Sequence, residues 1–186
     1  MTAGGRILLW SSNIWIFADG LLGPLFAVFA QKVGGDVLEI TWAWAIYLIA
    51  TGIASMVVGK ISDVYIKKET LLTAGYALTA LFTFGYLFVS TPVHLFVVQA
   101  GLGLALALCN APWFALYDEY SDDDQNGYIW GLTDGLGKII GGTAIIVGGF
   151  IVSVFSFNAL FITMGILQTA ALLYQLRLHT LKRPIL

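Results

Sequence analysis

Charged side chains are scarce in this sequence. Asp, Glu, Lys and Arg make up 11% of its 186 residues, where a soluble domain carries about a quarter. So small a complement cannot cover a folded surface in water, which excludes a soluble globular protein. The single cysteine, Cys109, rules out a disulfide within the chain. His94 and His179 stand far apart without the neighbours that metal ligation needs, so no metal site is expected. A phosphate-binding P-loop, a dinucleotide fingerprint, a nucleophile elbow and a basic nucleic-acid patch are all missing from the sequence. Nothing therefore stands behind an enzymatic function, a cofactor or a nucleic-acid partner.

What the chain has in quantity is apolar length. Hydrophobic residues make up 59% and the mean hydropathy is +0.86. Uncharged or nearly uncharged runs recur along the whole sequence, each long enough to cross the ~30 Å hydrocarbon layer as a helix. Six spans are expected, at about 7–30, 41–58, 70–89, 94–117, 128–154 and 159–178, forming one transmembrane domain over residues 1–186. The short segment Met1 to Arg6 precedes no small-residue cleavage site, so the first run reads as a retained span and not as a signal peptide. Ser90 to Val93 and Ser156 to Asn158 read as tight turns, and Tyr117 to Gly127 as an acidic loop.

Basic residues orient the spans. Arg6, Lys60, Lys67, Lys68, Arg177, Lys182 and Arg183 fall on one side, seven of the nine Lys and Arg residues. Cytoplasmic loops collect such residues, so both termini are expected in the cytoplasm, with the protein in the plasma membrane. Lys32 falls on the opposite side and Lys138 within a span.

The ten residues from Gly59 to Lys68, Gly-Lys-Ile-Ser-Asp-Val-Tyr-Ile-Lys-Lys, lie between two uncharged runs and read as a short loop outside the lipid. Gly59, Asp63, Lys67 and Lys68 match a signature that resembles the loop between the second and third spans of the major facilitator superfamily of secondary transporters. Val64 and Ile66 stand where that family usually has Arg and Gly. The resemblance extends to a first span broken by Gly20, Gly23 and Pro24 and to a glycine-rich fifth span with Gly127, Gly131, Gly135, Gly137 and Gly141. That fifth span lacks the proline of the family's antiporter signature. The resemblance implies an all-α fold of two inverted three-helix repeats, half of a complete member. Pro24-Leu25-Phe26-Ala27 and Pro112-Trp113-Phe114-Ala115 form a faint echo between the two expected repeats.

Polar groups at lipid depth are costly and so mark function. Asp19 lies near the middle of the first span, with Ser12 and Trp15 on the same helical face. Two roles fit Asp19: it binds a cation, hydroxyl or proton, or it caps the kink at Gly20 and Pro24 through a freed backbone N–H. Asp134 and Lys138 are four apart and can pair, with Trp130 on the same stripe, as a coupling element or as a neutralised structural pair. Asn110, Trp113 and Tyr117 share one face of the fourth span, where they line a site or hold helices together.

The resemblance implies a transporter working by alternating access on a small polar or amphipathic solute, with proton coupling an option. Ser12, Trp15, Asp19, Asn110, Trp113, Trp130, Asp134 and Lys138 then border the path. Gly59, Asp63, Lys67 and Lys68 form the cytoplasmic gate, the two lysines also serving as anchors for anionic lipid. The expected partners are the lipid bilayer, a small-molecule substrate and a second six-span half, supplied by a second copy or by a covalent or split partner. The alternative is an accessory or assembly subunit that keeps the fold without transporting.

Overall fold

The computed structural model describes residues 2–120 and 126–181. Seven α-helices follow one another: α1 Ala3–Gly20, α2 Leu25–Lys32, α3 Val37–Val64, α4 Lys68–Gly85, α5 Pro92–Glu119, α6 Asn126–Val154 and α7 Phe157–Gln175. Short 3-10 turns Tyr86–Phe88 and Leu176–Thr180 extend α4 and α7. Among the described residues there is no strand. Five helices are long and apolar enough to cross a membrane, and α1 with α2 makes a sixth, bent by 47°. The protein is an all-α membrane protein.

Local chemistry sets the boundaries. Thr2, Thr91 and Ser156 cap α1, α5 and α7 through their hydroxyls, each accepting a backbone N–H of the first turn. Asp36 and Glu39 form a reciprocal capping box on α3, with Asp36 Oδ1 accepting from the Leu38 and Glu39 amides at 2.7 and 3.0 Å. The first span breaks where Gly23 takes φ +27°, in the left-handed region, and Pro24 follows without an amide hydrogen.

Four expectations are corrected here. The stretch Gly59–Lys68 is not a ten-residue loop: α3 runs on through Gly59, Lys60 and Asp63 to Val64, and only Tyr65, Ile66 and Lys67 join it to α4. No proline interrupts Lys60–Val64, so the helix continues for as long as its backbone bonds are met. At roughly 1.5 Å per residue, the 28 residues of α3 exceed the hydrocarbon layer, and the last turns project beyond it. Ser90–Val93 is shorter than a four-residue turn, because Pro92 sits at the first helical position of α5, where its missing N–H costs nothing. Likewise Phe157 and Asn158 are already helical in α7, and Tyr117–Glu119 already belong to α5. The acidic run Asp122–Asp124 and the basic tail residues Lys182 and Arg183 lie outside the described residues.

Side-chain contacts assign each helix end to one of two ends of the bundle. At one end, Thr2 Oγ1 donates to the Tyr120 carbonyl at 2.7 Å, Lys68 pairs with Glu119, and Thr73 meets Gln175 and His179 at 2.9 Å. This end carries Arg6, Lys60, Lys67, Lys68 and Arg177. At the other end, Phe29 contacts Phe157, Phe161 and Tyr86, and Lys32 lies 5.4 Å from the Phe157 ring centroid. Each end has its own apolar core. One gathers Leu8, Leu72, Tyr76, Leu116 and Leu178; the other gathers Leu21, Phe29, Leu95, Leu160 and Phe161.

The packing order is regular. Helix α3 lies along α5, and α6 along α1; α4 lies against α5, and α7 against α1; α4 and α7 meet each other. Exchanging spans one, two and three for four, five and six leaves this list unchanged. Because three spans reverse the direction of the chain, the two halves of the list are related by inversion, the arrangement known for six-span transporter halves. Pro24 and Pro112 occupy comparable positions along the first and fourth spans. Only the first breaks, since Pro112 lies inside an uninterrupted α5.

Burial is uneven. In the most apolar window of each span, 39–44% of residues are buried in α4, α5 and α7, against 6% in α3 and 11% in α6. These two flanking helices present apolar faces that nothing among the described residues covers.

Candidate functional site

Between α1, α3, α5 and α6 three cavities adjoin one another. The first, about 130 Å³, is bordered by Trp15, Asp19, Trp44, Tyr47, Tyr86 and Gln99 among others. The second, about 160 Å³, shares Trp15 and Leu106 with it and adds Ser12, Asn110, Trp113 and Thr133. The third, about 320 Å³, shares Trp113 and Thr133 with the second and reaches Trp130, Asp134 and Lys138. All eight residues expected at a solute path thus line these three neighbouring cavities, together called the groove below.

Their environments differ. Asp19 is exposed to the groove and, among the described residues, its carboxylate has neither a hydrogen-bond donor nor a cation beside it. The kink-capping role is not what is found. The bend is held by backbone bonds instead: the Leu22 N–H donates to the Asp19 carbonyl at 3.2 Å, Leu25 N–H to Leu22 at 2.7 Å and Phe26 N–H to Gly23 at 3.2 Å. Ser12 spends its hydroxyl on the Leu9 carbonyl at 2.9 Å, so it offers the groove an acceptor only.

Asp134 and Lys138 form the expected ion pair, with side chains 69% and 74% exposed on the open face of α6. Trp113 is stacked on Tyr117, centroids 4.7 Å apart and planes 10° off parallel, and Trp130 meets both rings edge-on. Tyr117 is fully buried, and its phenol contacts Thr133 Oγ1 at 2.6 Å. Since Thr133 donates to the Ile129 carbonyl at 2.9 Å, Tyr117 is the donor in that contact. Tyr117 therefore fastens α5 to α6 and takes no place in the groove, while Trp113 does both.

The four residues of the loop signature are distributed over two helices. Gly59 and Asp63 sit one turn apart near the end of α3; Lys67 immediately precedes α4 and is exposed; Lys68 opens α4. Lys68 forms an ion pair with Glu119 at the end of α5, with side chains 21% and 26% exposed. Glu119 was not singled out from sequence, where it read as part of an acidic loop.

Several groove residues were missed as well. Gln99, 2% exposed, accepts a hydrogen bond from the Tyr86 hydroxyl at 3.0 Å beside Asp19. It is a lone amide inside an apolar run, the same signal that marked Asn110. Trp44 and Tyr47 on α3, with ring centroids 5.5 Å apart, border the Asp19 cavity as well.

The glycines of α6 divide into two sets. Gly148 faces the Leu21 carbonyl so closely that a Cβ there would collide with it, and a Cβ at Gly20 would lie 3.0 Å from that of Ala144. These bring α1 and α6 together. Gly127, Gly131, Gly135, Gly142 and Gly149 face open space.

Comparison with known proteins agrees with this architecture. A family model described as Major Facilitator Superfamily matches residues 8–184. An uncharacterized MFS-type transporter of Bacillus subtilis, YitZ, is 20% identical over 151 residues, 81% of this chain and 92% of that protein. The multidrug resistance protein MdtL of Escherichia coli is 26% identical over 181 residues, 96% of this chain and 44% of MdtL. An uncharacterized MFS-type transporter of Methanocaldococcus jannaschii is 32% identical over 85 residues, 46% of this chain and 22% of that protein. The chain spans less than half the length of MdtL. With six apolar spans in two inverted triplets, a polar groove between them and a family match over nearly its whole length, the chain belongs to the major facilitator superfamily.

Proposed function

We propose that the chain forms one wall of a secondary transporter that moves a small polar or amphipathic solute by alternating access. The observation that carries this reading is the row of adjoining cavities that forms the groove: it holds a carboxylate with no partner among the described residues, an ion pair and stacked aromatics within the spans, beside two spans whose apolar faces are almost unburied. Polar groups in such a place are costly in lipid and are retained where they meet a solute or a proton.

A second six-span half completes the path. The first and last described residues, Thr2 and Leu181, lie at the basic end, taken as cytoplasmic in the plasma membrane, so two copies related by a two-fold axis along the membrane normal lie parallel and bring α3 of each against α6 of the other. A covalent or split partner of the same fold would serve equally. At the basic end Gly59, Asp63, Lys67 and Lys68 act as the inner gate, with Lys68 tied back to Glu119. Ser12, Trp15, Asp19, Asn110, Trp113, Trp130, Asp134 and Lys138 border the solute, and Asp19 or the Asp134–Lys138 pair is the place for proton coupling.

The test is flux into proteoliposomes containing the protein, screened over charged and neutral organic solutes with and without an imposed pH gradient. Saturable uptake that Asp19→Asn abolishes is the expected result. Proteoliposomes no more permeable than empty vesicles to every solute would refute transport and favour an accessory subunit.

A further inference from the structure

The groove points to a particular class of solute, an inference that rests on reading it as a solute path. The cavity at Asp19 has aromatic walls on several sides: Trp15, Phe26, Trp44, Tyr47 and Tyr86 all border it. The rings support one another, Phe26 against Trp44 with centroids 5.8 Å apart, and Trp44 against Tyr47. Two ion pairs occur among the described residues, Lys68–Glu119 and Lys138–Asp134, and neither involves Asp19. The remaining described cations do not reach it: Arg6, Lys60, Lys67 and Arg177 lie at the basic end, and Lys32 sits over Phe157 at the other. A negative charge ringed by aromatic faces, with no cation of its own, is complementary to a positive charge with apolar skin, because each ring face adds its quadrupole to the carboxylate's field.

Size narrows the choice. A cavity of about 150 Å³ accommodates benzene, so the cavity of about 130 Å³ at Asp19 has room on this wall for a compact methylated ammonium. Beyond Trp15 and Leu106 the adjoining cavity of about 160 Å³ has room for one ring. Apart from Ser12, whose proton is already committed, its hydrogen-bonding groups are chiefly Asn110 and Thr133. Thr133 donates to Ile129 and accepts from Tyr117, which leaves the Asn110 amide to address a solute, beside the Trp15 indole N–H, which has no partner among the described residues.

We infer that this groove binds monovalent amphipathic organic cations in two parts, a small ammonium head beside Asp19 within the Trp15, Trp44, Tyr47 and Tyr86 rings, and a ring-sized apolar body beside Asn110. The carboxylate repels anions. A neutral solute of the same shape leaves that carboxylate unpartnered.

The experiment uses the full chain in lipid nanodiscs and radiolabelled benzyltrimethylammonium, a probe with such a head and such a body. Saturable binding is expected. Unlabelled benzyltrimethylammonium displaces the label, tetramethylammonium does so more weakly, and phenylacetate and benzyl alcohol at equal concentration do not. Asp19→Asn weakens binding by about tenfold or more, and Trp44→Leu by roughly three- to tenfold, the size of a desolvated cation–ring contact. Asp19→Glu keeps most of the affinity, and melting temperatures show that each variant is folded. Displacement by phenylacetate as effective as by the cation, affinity unchanged in Asp19→Asn, or no saturable binding at millimolar probe would each overturn the inference. The same preparations in sealed vesicles separate this from the transport reading. Cation binding with no flux retires transport and leaves the site; flux of neutral or anionic solutes without cation binding retires the site and leaves transport.

Discussion

Lys68, the first residue of α4, forms an ion pair with Glu119, the last residue of α5. Each charge alone is badly placed. A cation at a helix N-terminus and an anion at a C-terminus both oppose the helix macrodipole. Paired across the two ends, they cancel that penalty and tie the connection after α3 to the fourth span.

The pair is partly exposed, so Lys68→Ala or Glu119→Gln is expected to cost about 0.5–1 kcal/mol, a fall of a few degrees in melting temperature. The double variant should be no less stable than either single one, because removing both charges also removes both dipole conflicts. Additive losses in a double-mutant cycle would show that the two side chains act independently.

The Asp134–Lys138 pair behaves differently. Its side chains are 69% and 74% exposed on the face of α6 that opens to the groove. If the groove is the solute path, Lys138→Ala reduces flux by about tenfold or more, since it leaves a lone carboxylate at lipid depth. Reversing the pair, Asp134→Lys with Lys138→Asp, restores part of that flux. Flux unchanged in Lys138→Ala would remove the pair from the path.

Glycines test the packing and the missing half separately. A Cβ at Gly103 would lie 2.5 Å from the Tyr47 carbonyl oxygen, where α5 meets α3. Gly103→Val is expected to destabilise the chain by roughly 2–3 kcal/mol through forced separation of the two helices. Gly52 on α3 and Gly135 on α6 have nothing near them. Leucine at either should leave the isolated chain's stability within about 0.5 kcal/mol while weakening association with a second six-span half. Cross-linking yield, or the mass of the protein in a lipid-corrected nanodisc, reads the second effect.

At the opposite end, Asp36 gives a pH signature. Hydrogen bonds from the Glu39 and Leu38 backbone N–H groups hold the Asp36 carboxyl below its ordinary range. A depressed folded pKa contributes stability that is complete above the unfolded value near 4 and disappears as pH falls through the folded value. Protection of the Leu38 and Glu39 amides against hydrogen exchange should therefore be flat from neutral pH down to about 4 and decline below it. Asp36→Ala should lose the protection at neutral pH, and Asp36→Asn should keep most of it.

Span count and helix order were legible because periodicity does not matter when whole runs are apolar; length and charge spacing suffice. The ends of helices were less legible. Lys60 and Asp63 looked like loop residues because they are charged, yet a helix longer than the bilayer carries such residues in its protruding turns. The groove was half legible. Asp19, Asn110, Asp134 and Lys138 stand out against their neighbours, whereas Tyr47, Trp44 and Tyr86 are ordinary aromatics in an oily chain until α3, α4 and α5 are set around α1. The α6 glycines misled by uniform appearance: spacing alone does not separate Gly148, pressed on α1, from Gly135, facing nothing.

The break between α1 and α2 has a mechanical meaning. The backbone bonds across residues 21–26 are short-range turns, and Pro24 contributes no N–H to hold one segment's axis to the other's. A change in the 47° angle thus swivels Leu25–Lys32 without unzipping a helical ladder. Phe26 rides on that segment and is also a wall of the Asp19 cavity. A swing of those eight residues would therefore carry Phe26 with it and change the width of that chamber's mouth.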